Sequence, residues 1–93
     1  MNSPGGAATQ ICAPAFDRRF FSLPQGMQEQ IQSRLDELGR NLHGFPHYRM
    51  QGVAAFRLRV GDYRVIYQFN VESNTLLLIT VAHRREVYKK PLN

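Results

Sequence analysis

Apolar residues follow two different periods along the chain, and the change between them divides it in half. In the first half Phe16, Phe20 and Leu23 stand at i, i+4 and i+7. Met27, Ile31, Leu35, Leu38 and Leu42 then recur at steps of four, four, three and four. Both runs put their apolar side chains on one face of an α-helix. Polar residues fill the gaps of the second run: Gln28, Glu29, Gln30, Gln32, Ser33, Arg34, Asp36 and Glu37. Pro14 suits the first position of a helix, and Pro24 ends one helix and begins the next. The spacing predicts an amphipathic helix of about 16–18 residues after Pro24, with a weak point at Gly39. Two helices joined at one proline form a helical hairpin. Its single greasy stripe is read as a core contact rather than as a partner-binding face.

The second half alternates. Phe56, Leu58 and Val60 are interleaved with Arg57 and Arg59, and Tyr63, Val65, Tyr67 and Phe69 with Arg64, Ile66 and Gln68. Gly61-Asp62 separates the two runs, so the segment is predicted to be a β-hairpin with a two-residue turn. That turn fixes the register: Val60 opposite Tyr63, Arg59 opposite Arg64, Leu58 opposite Val65, Arg57 opposite Ile66 and Phe56 opposite Tyr67. Leu76 to Ala82 is apolar on both faces and reads as a covered strand, while Ala8 to Ala13 is predicted to be a short strand. His43 to Tyr48 and Val71 to Thr75 read as loops. The order β-α-α-β-β-β gives an α+β domain, with the helical hairpin on one face of a small, mainly antiparallel sheet.

At 93 residues the chain is one domain. Residues 1–7 are predicted to be flexible and 8–93 to form the folded unit. The apolar content suffices for a thin core but not for a large lidded cavity, and there is no glycine-rich dinucleotide fingerprint. Charge changes the picture more. Residues 1–48 carry four bases and four acids, whereas residues 49–93 carry eight bases and three acids, so the whole net charge of +5 sits in the second half. A localised, arginine-rich excess points to a polyanionic partner, nucleic acid first. The single cysteine, Cys12, excludes an internal disulfide framework. His43, His47 and His83 lack metal-ligand spacing, so neither metal nor cofactor is expected. The sequence holds no membrane-length apolar run and no signal-peptide pattern, and a cytoplasmic protein is expected.

The hairpin register sets Phe56, Leu58, Val60, Tyr63, Val65 and Tyr67 on one face and Arg57, Arg59 and Arg64 on the other. Directly opposed like charges destabilise a sheet. A phosphate group explains their presence, because guanidinium forks bind its oxygens in pairs. Beyond the last strand come His83, Arg84, Arg85, Tyr88, Lys89 and Lys90. There His83 is a side chain that titrates near neutral pH, and Tyr88 is an aromatic suited to stacking on a base. No Ser/His/Asp arrangement and no pair of carboxylates is visible. Any chemistry here leans on arginines, which stabilise charge but do not carry protons.

Phe56-Arg-Leu-Arg-Val-Gly-Asp-Tyr-Arg-Val-Ile-Tyr-Gln-Phe, followed by Leu77-Leu-Ile-Thr-Val-Ala-His-Arg-Arg-Glu-Val-Tyr, resembles the RelE/ParE superfamily of type II toxin–antitoxin toxins, on the RelE side. The likeness spans roughly residues 9–90 and includes the Pro24-led helix and the Met50-Gln-Gly approach to the hairpin. It implies a RelE-like fold and a growth inhibitor that cuts messenger RNA in the ribosomal A site, with the 2′-hydroxyl attacking the adjacent phosphate. It implies that Arg64 holds the scissile phosphate, that Arg84 supplies the basic residue after the last strand, and that Tyr88 orients a base. His83 matches a histidine some relatives use as acid or base. Arg57 and Arg59 stand where RelE-like toxins carry lysines, and with Arg49, Arg85, Lys89 and Lys90 they are expected to bind RNA. The implied partners are the ribosome with its mRNA and a cognate antitoxin, acidic and partly disordered. The alternative is a ParE-like toxin that acts on DNA gyrase and cuts nothing, or a degenerate member that only binds. Arginine at positions 57 and 59, and Gln51 before Gly52, where Arg49 two residues earlier could substitute, are departures that keep this alternative open.

Overall fold

The computed structural model describes residues 6–89, with side chains as far as Glu86. The predicted flexibility of 1–5 and the side-chain roles expected of Tyr88, Lys89 and Lys90 therefore lie outside the described residues. The elements run β1 (Thr9–Cys12), α1 (Pro14–Phe21), α2 (Gln25–Arg40), β2 (Tyr48–Arg49), β3 (Phe56–Val60), β4 (Tyr63–Asn70), β5 (Thr75–His83) and α3 (Arg84–Lys89). The strands form one sheet in the order β1-β5-β4-β3-β2, with β1 parallel to β5 and the other pairs antiparallel. Pro14 opens α1 as expected, and α2 starts directly after Pro24. Two elements were not foreseen, the two-residue β2 at the sheet edge and the short helix α3. Among the described residues no helix is long and apolar enough to cross a membrane.

The helical stripe becomes the core. Phe16, Phe20, Ile31, Leu35 and Leu38 are buried against Leu58, Val60, Val65, Tyr67 and Leu78. Gly39 lies inside α2 rather than ending it, and a Cβ there would stand 3.6 Å from the backbone nitrogen of Ala8. The Ala8 N–H donates to the Gly39 carbonyl at 2.9 Å, which ties the chain before β1 to the end of α2. In the β3–β4 turn Gly61 takes φ +60°. That is the first central position of a type II′ turn, which glycine adopts without strain. All five hairpin pairs anticipated from the sequence are present.

The polar network beneath α2 centres on His47. Its Nε2 lies 2.8 Å from the Leu42 carbonyl and its Nδ1 2.6 Å from the Tyr67 hydroxyl. A carbonyl only accepts, so the ring carries its proton on Nε2 and Nδ1 accepts from Tyr67. Phe69 stacks on the same ring at 3.9 Å. Burial pushes the Tyr67 phenol up to about 12. Below about pH 10, the ordinary tyrosine value, folded and unfolded chains both keep this proton and the contribution to stability is complete. Above that the unfolded chain releases the proton while the folded one holds it. Stability is therefore expected to fall as pH rises from about 10 towards 12. Urea midpoints measured across this range should show that loss, and Tyr67→Phe should flatten it.

Candidate functional site

The face of the sheet away from α1 and α2 is built in rows. One row crosses the sheet as Tyr48, Arg57, Ile66 and Thr80, and the next as Arg59, Arg64 and Ala82. Arg57 and Arg59 are exposed. The segment between β2 and β3 folds over the middle of this face, where Met50, Ala55 and Ile66 are buried together with Val53 and Ile79 against them. The sequence reading expected arginines on an open polar surface. The structure instead stands them around a small apolar floor.

Arg64 departs furthest from expectation. It is only 6% exposed, and its Nη1 donates to the carbonyls of Tyr63 at 3.0 Å and Gly61 at 3.3 Å. Curling back to the turn lets the guanidinium meet two carbonyl dipoles. The turn thus helps to hold Arg64, which is no loose surface cation.

The last strand changes parity on its way to the site. Tyr67 pairs with Leu78, but Ile66 pairs with Thr80, so Ile79 is an extra residue, a β-bulge. Beyond the bulge every side chain faces opposite to simple alternation. Ala82 therefore lies beside Arg64, and His83 sits in the row of Val60 and Tyr63, on the helix side. Its ring meets Tyr63 edge-on at 5.4 Å. The structure thus brings Arg57, Arg59 and Arg64 together and places His83 around the end of the sheet from them. Arg49 is exposed in the row of Phe56, also on the helix side.

His83 starts α3. Its Nδ1 accepts from the Arg85 N–H at 3.2 Å, and Glu86 accepts from the His83 N–H at 2.8 Å. Glu86 thus fills its half of a capping box, while the histidine ring caps the second N–H of the helix in place of the third. Glu86 also pairs with Arg19 of α1. The hydrogen bond from Arg19, then that from His83, holds the Glu86 carboxyl below its ordinary value. The Arg84 N–H donates to the Asp62 carbonyl at 2.7 Å, and its Nε lies 3.7 Å from the Asp62 carboxylate. A helix of six residues does not hold itself, so these contacts with α1 and the hairpin turn aim it. Arg84 and Arg85 are exposed on it, and its backbone carries Tyr88 and Lys89.

Tyr48 is the residue the sequence reading missed. It is 63% exposed and stands opposite Arg57 in the outermost row. Two residues of strand inside a Gly/Pro-containing loop give no periodic signal to find it by. Among the described residues no cluster of three or more His, Cys, Asp or Glu could hold a metal ion. A groove of about 700 Å³ lies between the start of α2 and the end of β3, lined by Glu29, Gln30, Ser33, Arg34 and Arg59. It shares Arg59 with the arginine face but differs from it in its mixed charge and its place beside the sheet.

Comparison with known proteins agrees with this architecture. The profile of the family described as the ParE toxin of type II toxin–antitoxin system, parDE, matches residues 14–88. No curated protein sequence matches the chain. Among solved structures it is similar to the toxin–antitoxin complex RelBE2 from Mycobacterium tuberculosis, at 24% identity and a TM-score of 0.68, covering 84% of this chain and 92% of the other. It is similar to the isolated RelE toxin of E. coli at 18% identity and TM-score 0.70, covering 92% and 100%. It is also similar to the RelE–RelB complex of Pyrococcus horikoshii at 21% and 0.69, covering 84% and 96%. At these identities the likeness is one of fold.

Proposed function

The chain belongs to the ParE toxin family of type II toxin–antitoxin systems, within the RelE/ParE superfamily, and we propose that, as a toxin of that superfamily, it arrests translation by cutting messenger RNA on the ribosome. The observation that carries this reading is the arginine face, with Arg57, Arg59 and Arg64 in two adjacent rows and Arg84 fastened to the same hairpin turn. The 2′-hydroxyl of one nucleotide gives its proton to water as its oxygen attacks the neighbouring phosphorus, and the bond from phosphorus to the 5′-oxygen breaks. A 2′,3′-cyclic phosphate and a 5′-hydroxyl end result. Negative charge grows on the phosphoryl oxygens during attack, and permanently charged guanidinium groups stabilise it there. Tyr88 stacks on a base, while Arg49, Arg85, Lys89 and Lys90 draw in the RNA.

The leaving 5′-oxygen needs a proton, and His83 is proposed as its donor, reached where the RNA passes around the end of the sheet from the arginine face. Its Nδ1 accepts from the Arg85 N–H, so donating a proton from that nitrogen means giving up this bond first. Glutamine at 83 keeps an acceptor for that N–H but does not titrate. His83→Gln is therefore expected to keep α3 in place, slow single-turnover cleavage about 10²-fold and flatten its pH dependence. A cognate antitoxin, acidic and partly disordered, is proposed to fold onto this basic surface. In support, the matched M. tuberculosis and P. horikoshii structures are toxin–antitoxin complexes.

A second reading, inhibition of DNA gyrase without cleavage, is favoured by the ParE description of the matching family and by Arg64 being bound to its own turn. One experiment separates the two. Purified protein is added to programmed ribosomes and, separately, to gyrase with relaxed plasmid. Cleaved message with 5′-hydroxyl ends supports the first reading. Intact message with blocked supercoiling replaces it with the second.

A further inference from the structure

We propose that Tyr48 is a base-stacking residue at the outer end of the arginine face, where it receives an unpaired nucleobase of single-stranded RNA while Arg57 holds the adjoining phosphate. The inference deepens the RNA reading above and adds a residue which that reading does not use.

β2 exists for two residues only, and its pairing sets Tyr48 directly across from Arg57. Side chains so opposed on one face have Cβ atoms about 4.5–5.5 Å apart. The ring has no aromatic partner among the described residues and is 63% exposed, whereas Tyr63 and Tyr67 pack against or within the core. Met50, next on the same side of the chain, is buried with Ala55, Ile66, Val53 and Ile79. Tyr48 thus stands at the rim of the apolar floor, flanked by the exposed cation Arg57 and followed one row on by Arg59.

A lone exposed tyrosine needs no explanation. Here its neighbours select an occupant. Every base offers an apolar, polarisable face to a ring, and every nucleotide brings a phosphate to a guanidinium, so an aromatic beside arginines is the usual platform for single strands. The eight bases against three acids in the second half of the chain favour a polyanion over an acidic side chain or a neutral ligand. Duplex RNA is excluded by the same chemistry, because its bases are already stacked on one another.

The test uses the full chain and a fluorescently labelled single-stranded RNA with non-cleavable 2′-O-methyl sugars, read by anisotropy without ribosomes. Stacking of one base on an aromatic is worth about 1–3 kcal/mol, so Tyr48→Ala is expected to raise Kd about 5–150-fold. Tyr48→Phe should bind within about twofold of the natural chain. Tyr48→Leu, equally apolar but without a ring, should resemble Tyr48→Ala. The melting temperature should be unchanged in all three, since an exposed side chain contributes little to stability. An unchanged Kd for Tyr48→Ala, or Tyr48→Leu binding as well as Tyr48→Phe, overturns the inference. Failure of the cleavage reading shows as intact message on ribosomes. It leaves this binding series to decide on its own, and a chain that binds no RNA overturns the inference while the ribosome assay decides the cleavage reading.

Discussion

Arg64→Ala is expected to lower ribosome-dependent cleavage about 10²–10³-fold, the usual consequence of removing one donor from the site of growing charge. The loss will not be purely chemical. Arg64 is buried and bonded to the carbonyls of Gly61 and Tyr63, so removing it also costs about 1–3 kcal/mol of stability. Urea midpoints will give that part. Cleavage measured well below the unfolding transition will give the rest. Arg64→Lys keeps the charge but offers a point in place of a fork, and it should recover only part of the rate. Cleavage by Arg64→Ala at the natural rate would show that this guanidinium serves the turn alone and would remove it from the site.

Leu35→Ala is expected to destabilise the fold by about 2–5 kcal/mol. Leu35 is fully buried in the middle of α2, within the cluster that joins both helices to the sheet. A domain of this size has only about 5–15 kcal/mol in total, so the variant should unfold at a much lower urea concentration. Phe21→Ala is the control. Phe21 is 67% exposed, and its loss should shift stability by no more than about 0.5 kcal/mol. A small effect at Leu35, equal to that at Phe21, would mean that the α2 stripe is not the core contact described.

What was legible in the sequence depended on how strongly a local rule bound each residue. A two-residue turn at Gly61-Asp62 leaves one register, and the Arg59–Arg64 opposition followed from it before any coordinates. The stripe from Ile31 to Leu42 left one face for α2 to bury. The side on which His83 emerges was not legible. Leu76 to Ala82 is apolar throughout, so no polar residue marks where alternation breaks, and the bulge at Ile79 turns the end of β5 over without leaving a trace in the pattern. Counted by simple alternation His83 falls beside the arginines, but the bulge carries it to the other side. The start of α3 was hidden differently. His83-Arg-Arg-Glu86 has capping-box spacing, but within a basic stretch it read as a run of surface charge. Nor does anything in the sequence say that Arg64 turns back to its own hairpin rather than outward, a choice made by the carbonyls that the turn happens to expose.

The sheet order also says something about how the protein comes into being. β1 pairs only with β5, through Thr9 with Thr75 onward to Cys12 with Leu78, so the first strand to be synthesised waits for the last. Helices α1 and α2 likewise have no floor until β3, β4 and β5 exist. A ribosome adding about 5–20 residues per second leaves the first half without its partners for several seconds, and pairing across so long a stretch of chain is intrinsically slow. The arginine face spans β3, β4 and the exit of β5, so it is assembled at the same moment as the core. A nascent chain therefore lacks the finished face, with Arg84 fastened beside the hairpin turn, until β5 has been synthesised.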